Sequence, residues 1–152
     1  MIVLIGCLFR ELFVTIVFTI TFKFLRTYAG GYHAKTRMRC SILSYATMAG
    51  VLIAIKLLPE NIFYGLIVWI LAGVVVLYLA PVEAQTKPLD DLERCVYRKK
   101  LIQIWSLETI AFLFFLWTGW KSCVTAMAFA GLILSISLLF GKYTIENKRS
   151  LT

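Results

Sequence analysis

An all-α, polytopic transmembrane helix bundle of about five spans is the architecture this sequence predicts, on three observations. Of its 152 residues 61% are hydrophobic, and the mean hydropathy of +0.85 is far above that of a water-soluble domain of this size. Several runs are apolar over the length a helix needs to cross a bilayer. The 16 lysines and arginines fall in short stretches between those runs, which is the pattern of membrane topology. The net charge of +8 therefore does not point to nucleic acid, and the lipid bilayer is the first partner the chain requires.

The first stretch, Ile2 to Leu25, is divided by Arg10-Glu11 into an apolar run of eight residues and one of eleven ahead of Lys23. It reads as one span with an internal ion pair or as the remnant of a longer pair of segments. No basic start or small-residue cleavage site marks it as a secretory signal. Ile42 to Leu58 is the next run, closed by Lys56, which can snorkel, and by Pro59. Ile62 to Ala80 carries no charge over 19 positions, roughly 28 Å as a helix. Leu101 to Trp120 is broken only by Glu108, and Ser122 to Phe140 is uncharged. A carboxyl inside a span is expected to face other helices or a polar cavity, and a helix–helix hydrogen bond is its simpler reading. The whole chain, 1–152, reads as a single integral membrane domain.

Counting cations in each connection sets the orientation. Lys23, Arg26, Lys35, Arg37 and Arg39 precede the second span; Lys87, Arg94, Arg98, Lys99 and Lys100 lie between the third and fourth; Lys142, Lys148 and Arg149 follow the last. Thirteen of the sixteen thus share one side, which the positive-inside bias makes cytoplasmic. Lys56 and Lys121 fall on the other side, and Arg10 is unassigned.

The chemistry concentrates between Arg26 and Cys40. His33, the one histidine in the chain, lies seven residues before Cys40 and just after Gly30-Gly31. Imidazole is a base near neutral pH, and a thiolate is favoured by imidazolium, by cations such as Lys35, Arg37 and Arg39, and by a helix N-terminus. On one continuous helix the two residues would stand about 10 Å apart along the axis, beyond the roughly 3 Å a proton transfer needs. A chain reversal at the glycines removes that separation. The plainer reading stands beside it: an interfacial histidine, a structural or acylated cysteine and a Gly-Gly turn. No cofactor or metal is expected, because one histidine and the scattered Cys7, Cys40, Cys95 and Cys123 form no ligand set.

The run R-x-x-A-G-G-Y-H-A-K-T-x-x-x-C from Arg26 to Cys40 resembles the signature of the accessory gene regulator protein B (AgrB) family, membrane cysteine endopeptidases of Gram-positive quorum sensing. The stretch A-P-V-E-A-Q-T-K-P-L from Ala80 to Leu89, followed by Arg98-Lys99-Lys100, is similar to that family's cytoplasmic loop. The resemblance runs from about Phe24 to the last span, and it implies that the family's N-terminal amphipathic segment and much of its first span are missing here. It also implies that Cys40 is the nucleophile and His33 the general base. The substrate would be an AgrD-like precursor peptide, cleaved near its C-terminus and closed into a thiolactone or lactone ring. Arg26, Gly30, Gly31, Lys87, Arg98, Lys99 and Lys100 are the candidate substrate-binding residues, and a homodimer is the candidate assembly. Asp90, Asp91 and Glu93 remain equal candidates for a third catalytic member, beside a two-residue site that needs none. The alternative is a non-catalytic small membrane transporter or transporter subunit, with Glu108 and Arg10-Glu11 on a polar path.

Overall fold

The computed structural model describes residues 11–29, 46–47, 49–55, 57, 62–80 and 91–149, with 91 and 144–149 described by their backbone alone. Four helices among them are long and apolar enough to cross a membrane. These are α1 (Leu12–Ala29), α2 (Ile62–Leu79), α3 (Asp91–Thr118) and α4 (Lys121–Arg149). A further helical stretch, 49–55, falls within the run Ile42 to Leu58. The described residues contain no strand, so the helical bundle expected from composition is the fold observed.

Each helix turns one stripe inward, at the three- and four-residue spacing of a helix face. In α1 the stripe is Val14, Thr15, Phe18, Thr21, Leu25 and Ala29, and in α2 it is Gly65, Trp69, Ala72, Gly73 and Val76. In α3 it runs Leu101, Trp105, Glu108 and Phe112. Helix α4 is the hub: 56% of its span is buried, against 17% to 33% in the other three. The opposite faces of α2 and α3 carry Phe63, Ile67, Val74, Leu107, Ile110 and Trp117, all exposed, as lipid-facing positions should be.

Between helices in lipid no water is released, so packing must come from close van der Waals contact and small residues. A Cβ at Gly65 would stand 3.0 Å from Val124, one at Gly131 3.1 Å from the Ala72 methyl, and one at Gly73 2.9 Å from the Trp105 ring. The Trp69 ring is stacked between Trp105 (centroids 4.5 Å) and Phe112 (4.9 Å). Ser135 Oγ donates to the Gly131 carbonyl at 2.9 Å and lies 3.3 Å from that of Ala72. Val51 and Ile55 join Val14, Phe18, Cys123, Ala126 and Ala130 in a second apolar cluster.

Helices α3 and α4 are joined by a two-residue turn. Gly119 has φ of 76°, and Trp120 N–H donates to the Phe115 carbonyl while Gly119 N–H donates to that of Leu116. That pair of bonds is a Schellman cap with glycine in its left-handed position. The Phe115 and Trp120 rings, 6.2 Å apart, supply the apolar contact that accompanies such a cap.

Side-chain pairs fix the relative directions. Phe13 meets Trp120 and Phe115 at one end of α1, and Tyr28 meets Tyr97 at the other, so α1 runs antiparallel to α3. Gly65 faces Val124 and Gly131 faces Ala72, so α2 and α4 run parallel. The ends at Ala29, Leu79, Asp91 and Arg149 therefore share one end of the bundle, which is the grouping the cation count requires.

One sequence expectation changes. Spans that end at Ala80 and resume at Leu101 leave Pro81 to Lys100 as a basic connecting loop, yet Asp91–Lys100 is the first part of α3. Charge forbids burial in lipid but not helix formation, and Asp91 and Glu93 sit where the helix dipole favours acid. A 28-residue helix is about 42 Å long and overshoots a hydrocarbon core of about 30 Å. Its overshoot carries Arg94, Arg98, Lys99 and Lys100, all exposed. Helix α4 likewise continues beyond Phe140 to Arg149.

Candidate functional site

At the basic end of the bundle the last turn of α1 meets the first turns of α3. Tyr28 is the contact: its ring lies 6.2 Å from that of Tyr97, and the Lys100 ammonium sits 5.7 Å from its centroid, within cation–π range. Earlier in α1 the Arg26 guanidinium lies over the Phe22 ring at 5.5 Å. In both cases the charged head itself lies over the face of the ring, where the ring quadrupole attracts a cation. Arg98 and Lys99 are exposed beside Lys100.

Four of the candidate site residues are therefore gathered at one end: Arg26, Arg98, Lys99 and Lys100. The proposed catalytic residues His33 and Cys40, together with Gly30, Gly31 and Lys87, lie outside the described residues. In the sequence Gly30 directly follows Ala29, the last residue of α1. Of the candidate third members, Asp90 lies outside the described residues, and Glu93 is half-buried on the first turn of α3.

Deeper in the bundle, Thr21 Oγ1 donates to Glu108 Oε2 at 2.8 Å. Thr21 is 2% exposed and Glu108 8%, so the carboxyl faces α1 as a helix–helix hydrogen bond and not lipid. Sequence reasoning anticipated the role of Glu108 but not its partner. Thr21, Tyr28 and Tyr97 were all missed, although Thr21 stands in phase with Phe18 and Leu25 on the buried stripe.

At the opposite end an open hollow of about 500 Å³ is lined by Glu11, Phe13, Trp120, Lys121 and Cys123 among others. Cys123 is buried and separated by the length of α4 from the basic end. Cys95 is exposed on the first turns of α3.

The sequence model of a family described as Accessory gene regulator B matches residues 1–140. The chain belongs to the AgrB family. AgrB-like protein 2 of Clostridium perfringens is similar to it at 22% identity, over an alignment that covers 92% of this chain and 67% of the relative. No solved structure matches. The AgrB match begins at residue 1, so it takes in the stretch before Phe24 that the motif resemblance did not reach. Membership ties the chain to the quorum-sensing role of the family in general. With four helices long and apolar enough to span a membrane it is a multi-pass member.

Proposed function

We propose that this chain is a membrane cysteine endopeptidase that cleaves an AgrD-like precursor peptide through an acyl-enzyme on Cys40. The observation that carries the reading is the family match over residues 1–140, with the His33 and Cys40 motif inside it. The gathering of Arg26 and Arg98–Lys100 at the end where α1 leads into that motif supports it.

In this mechanism His33 takes the proton of the Cys40 thiol, and the thiolate attacks the scissile carbonyl. The tetrahedral intermediate collapses, the C–N bond breaks, and the leaving amine takes the proton from His33. The thioester on Cys40 is then attacked by an internal thiol or hydroxyl of the precursor. That step closes the thiolactone or lactone and returns Cys40 as a thiol, with no water consumed. Gly30 and Gly31 turn the chain so that His33 reaches Cys40.

An acidic precursor tail is drawn to Arg26, Lys87, Arg98, Lys99 and Lys100. A precursor held on the bilayer by an amphipathic leader meets the site at a raised effective concentration. The positive-inside bias puts this end, and with it the reaction, on the cytoplasmic face of the cell membrane. The transporter alternative gains nothing from Glu108, whose carboxyl is engaged by Thr21.

The test is cleavage of a synthetic AgrD-type peptide, with an amphipathic leader, a central cysteine or serine and an acidic tail, by the enzyme in proteoliposomes. Cys40→Ala should abolish cleavage and the trapped thioester, whereas Cys7→Ser, Cys95→Ser and Cys123→Ser should retain both. Cleavage by an inserted Cys40→Ala variant overturns the reading.

A further inference from the structure

We infer that the Thr21–Glu108 pair is a positioning contact for this reaction: it sets how far α1 stands along α3, and so where Tyr28, at the end of α1, meets Tyr97 and Lys100 of α3. The inference rests on the endopeptidase reading for its catalytic consequence, but not for its geometry.

The pair joins residues 87 positions apart, both buried, at 2.8 Å. Two apolar side chains would pack the same interface with no desolvation cost, and a hydrogen bond between helices in a membrane is a modest contribution to stability. Stability is thus a weak reason for a carboxyl at this depth. Direction is a stronger one, because a hydrogen bond fixes axial register where an apolar surface tolerates sliding.

The rest of the α1 interface is apolar: Phe13 against the Phe115 and Trp120 rings at the far end, and, on α4, Val14 and Phe18 against the small side chains of Cys123, Ala126 and Ala130. That contact holds α1 in the bundle when the polar pair is removed. On α3 the register is set by Thr21–Glu108 at mid-depth and read out seven residues later, at Tyr28 between Tyr97 and Lys100. Helices are stiff over the roughly 10 Å between these levels. A slip of one residue therefore carries Tyr28 about 1.5 Å along α3. Tyr28 is two residues from Gly30 and five from His33. A misplacement of about 1 Å far from the chemistry can cost on the order of a hundredfold in rate.

The experiment compares Thr21→Val, Glu108→Leu and Glu108→Gln, each as the full chain in proteoliposomes with the same synthetic AgrD-type peptide. Thr21→Val and Glu108→Leu should lower kcat by about tenfold or more and leave KM within about twofold. Glu108→Gln, whose amide oxygen still accepts from Thr21, should restore most of the rate. Independently of activity, Tyr28→Cys and Tyr97→Cys are introduced where the four native cysteines are serine, and bridged with a short bis-maleimide. The bridging rate should fall several-fold with Glu108→Leu and recover with Glu108→Gln. Unchanged bridging in the Thr21→Val and Glu108→Leu backgrounds overturns the inference whatever the enzyme does. So does a Glu108→Gln variant as impaired as Glu108→Leu, or a rise in KM with kcat intact. If Glu108→Leu fails to insert, the near-isosteric Thr21→Val decides. Absence of cleavage by the wild type and every variant, with the bridging result intact, refutes the endopeptidase reading and leaves the positioning contact standing.

Discussion

Two buried threonines of α1 should answer differently to the same substitution. Thr21 donates to Glu108, whereas the Thr15 side-chain oxygen is buried with no hydrogen-bond partner among the described residues. An unpaired buried hydroxyl opposes folding, so Thr15→Val should be neutral or raise the melting temperature in detergent. A clear loss of stability in Thr15→Val would show that its hydroxyl has a partner after all. Glycines divide in the same way. Gly73 lies against the Trp105 ring with no room for a Cβ, and Gly73→Leu should cost about 1 to 3 kcal/mol by overpacking, read as a lower unfolding midpoint. At the proposed catalytic motif, activity should fall below roughly pH 6.5, the unperturbed histidine value, if His33 is the base, because its protonated form cannot take the thiol proton. A flat profile from pH 5 to 8 would remove His33 as the base.

Among the elements, the α3–α4 turn and the α1–motif junction are the two places where glycine carries the most weight. Gly119 is left-handed within a Schellman cap, so Gly119→Val should destabilise the hairpin by about 1 to 2 kcal/mol, seen as a lower midpoint with cleavage at permissive temperature retained. The motif glycines should show the converse. Gly30→Val or Gly31→Val should reduce cleavage strongly while insertion is unchanged, since branching at Cβ disfavours a tight reversal. Wild-type cleavage by both variants would mean that no such reversal is needed. The contrast would separate a glycine that holds the fold from glycines proposed to serve the chemistry.

At the scale of the molecule, one end carries the cations and the head of α3, and the other carries Trp120, Lys121 and the open hollow. Cys95, exposed at the basic end, reports the orientation. In right-side-out cells an impermeant maleimide should leave Cys95 unmodified, and permeabilisation should expose it. Labelling from outside in intact cells would invert the topology proposed for the site. Cys123 is buried in α4 and should stay unlabelled in both cases, which provides an internal control.

Composition and the spacing of charge already settled that the chain lives in lipid, how its helices alternate, and which ends group together. Those properties follow from local transfer free energies, which act residue by residue. Glu108 was legible as a carboxyl that must face a neighbour, because any such group in a span has the same need. Its partner was not, since nothing local distinguishes Thr21 from Thr15 or Thr19; the choice depends on how α1 and α3 are rotated and staggered, a property of both helices together. The same holds for Tyr28 between Tyr97 and Lys100 and for Gly73 beneath Trp105, contacts between residues far apart in the chain. The connection read from Pro81 to Lys100 differs from the structure in its second half, Asp91–Lys100, for the opposite reason. Charge there records the edge of the bilayer, whereas helix continuation depends on backbone hydrogen bonds that extend past that edge. Transfer into lipid is additive and so can be read along a sequence. Register between helices is a mutual fit of surfaces, and it exists only once they are packed.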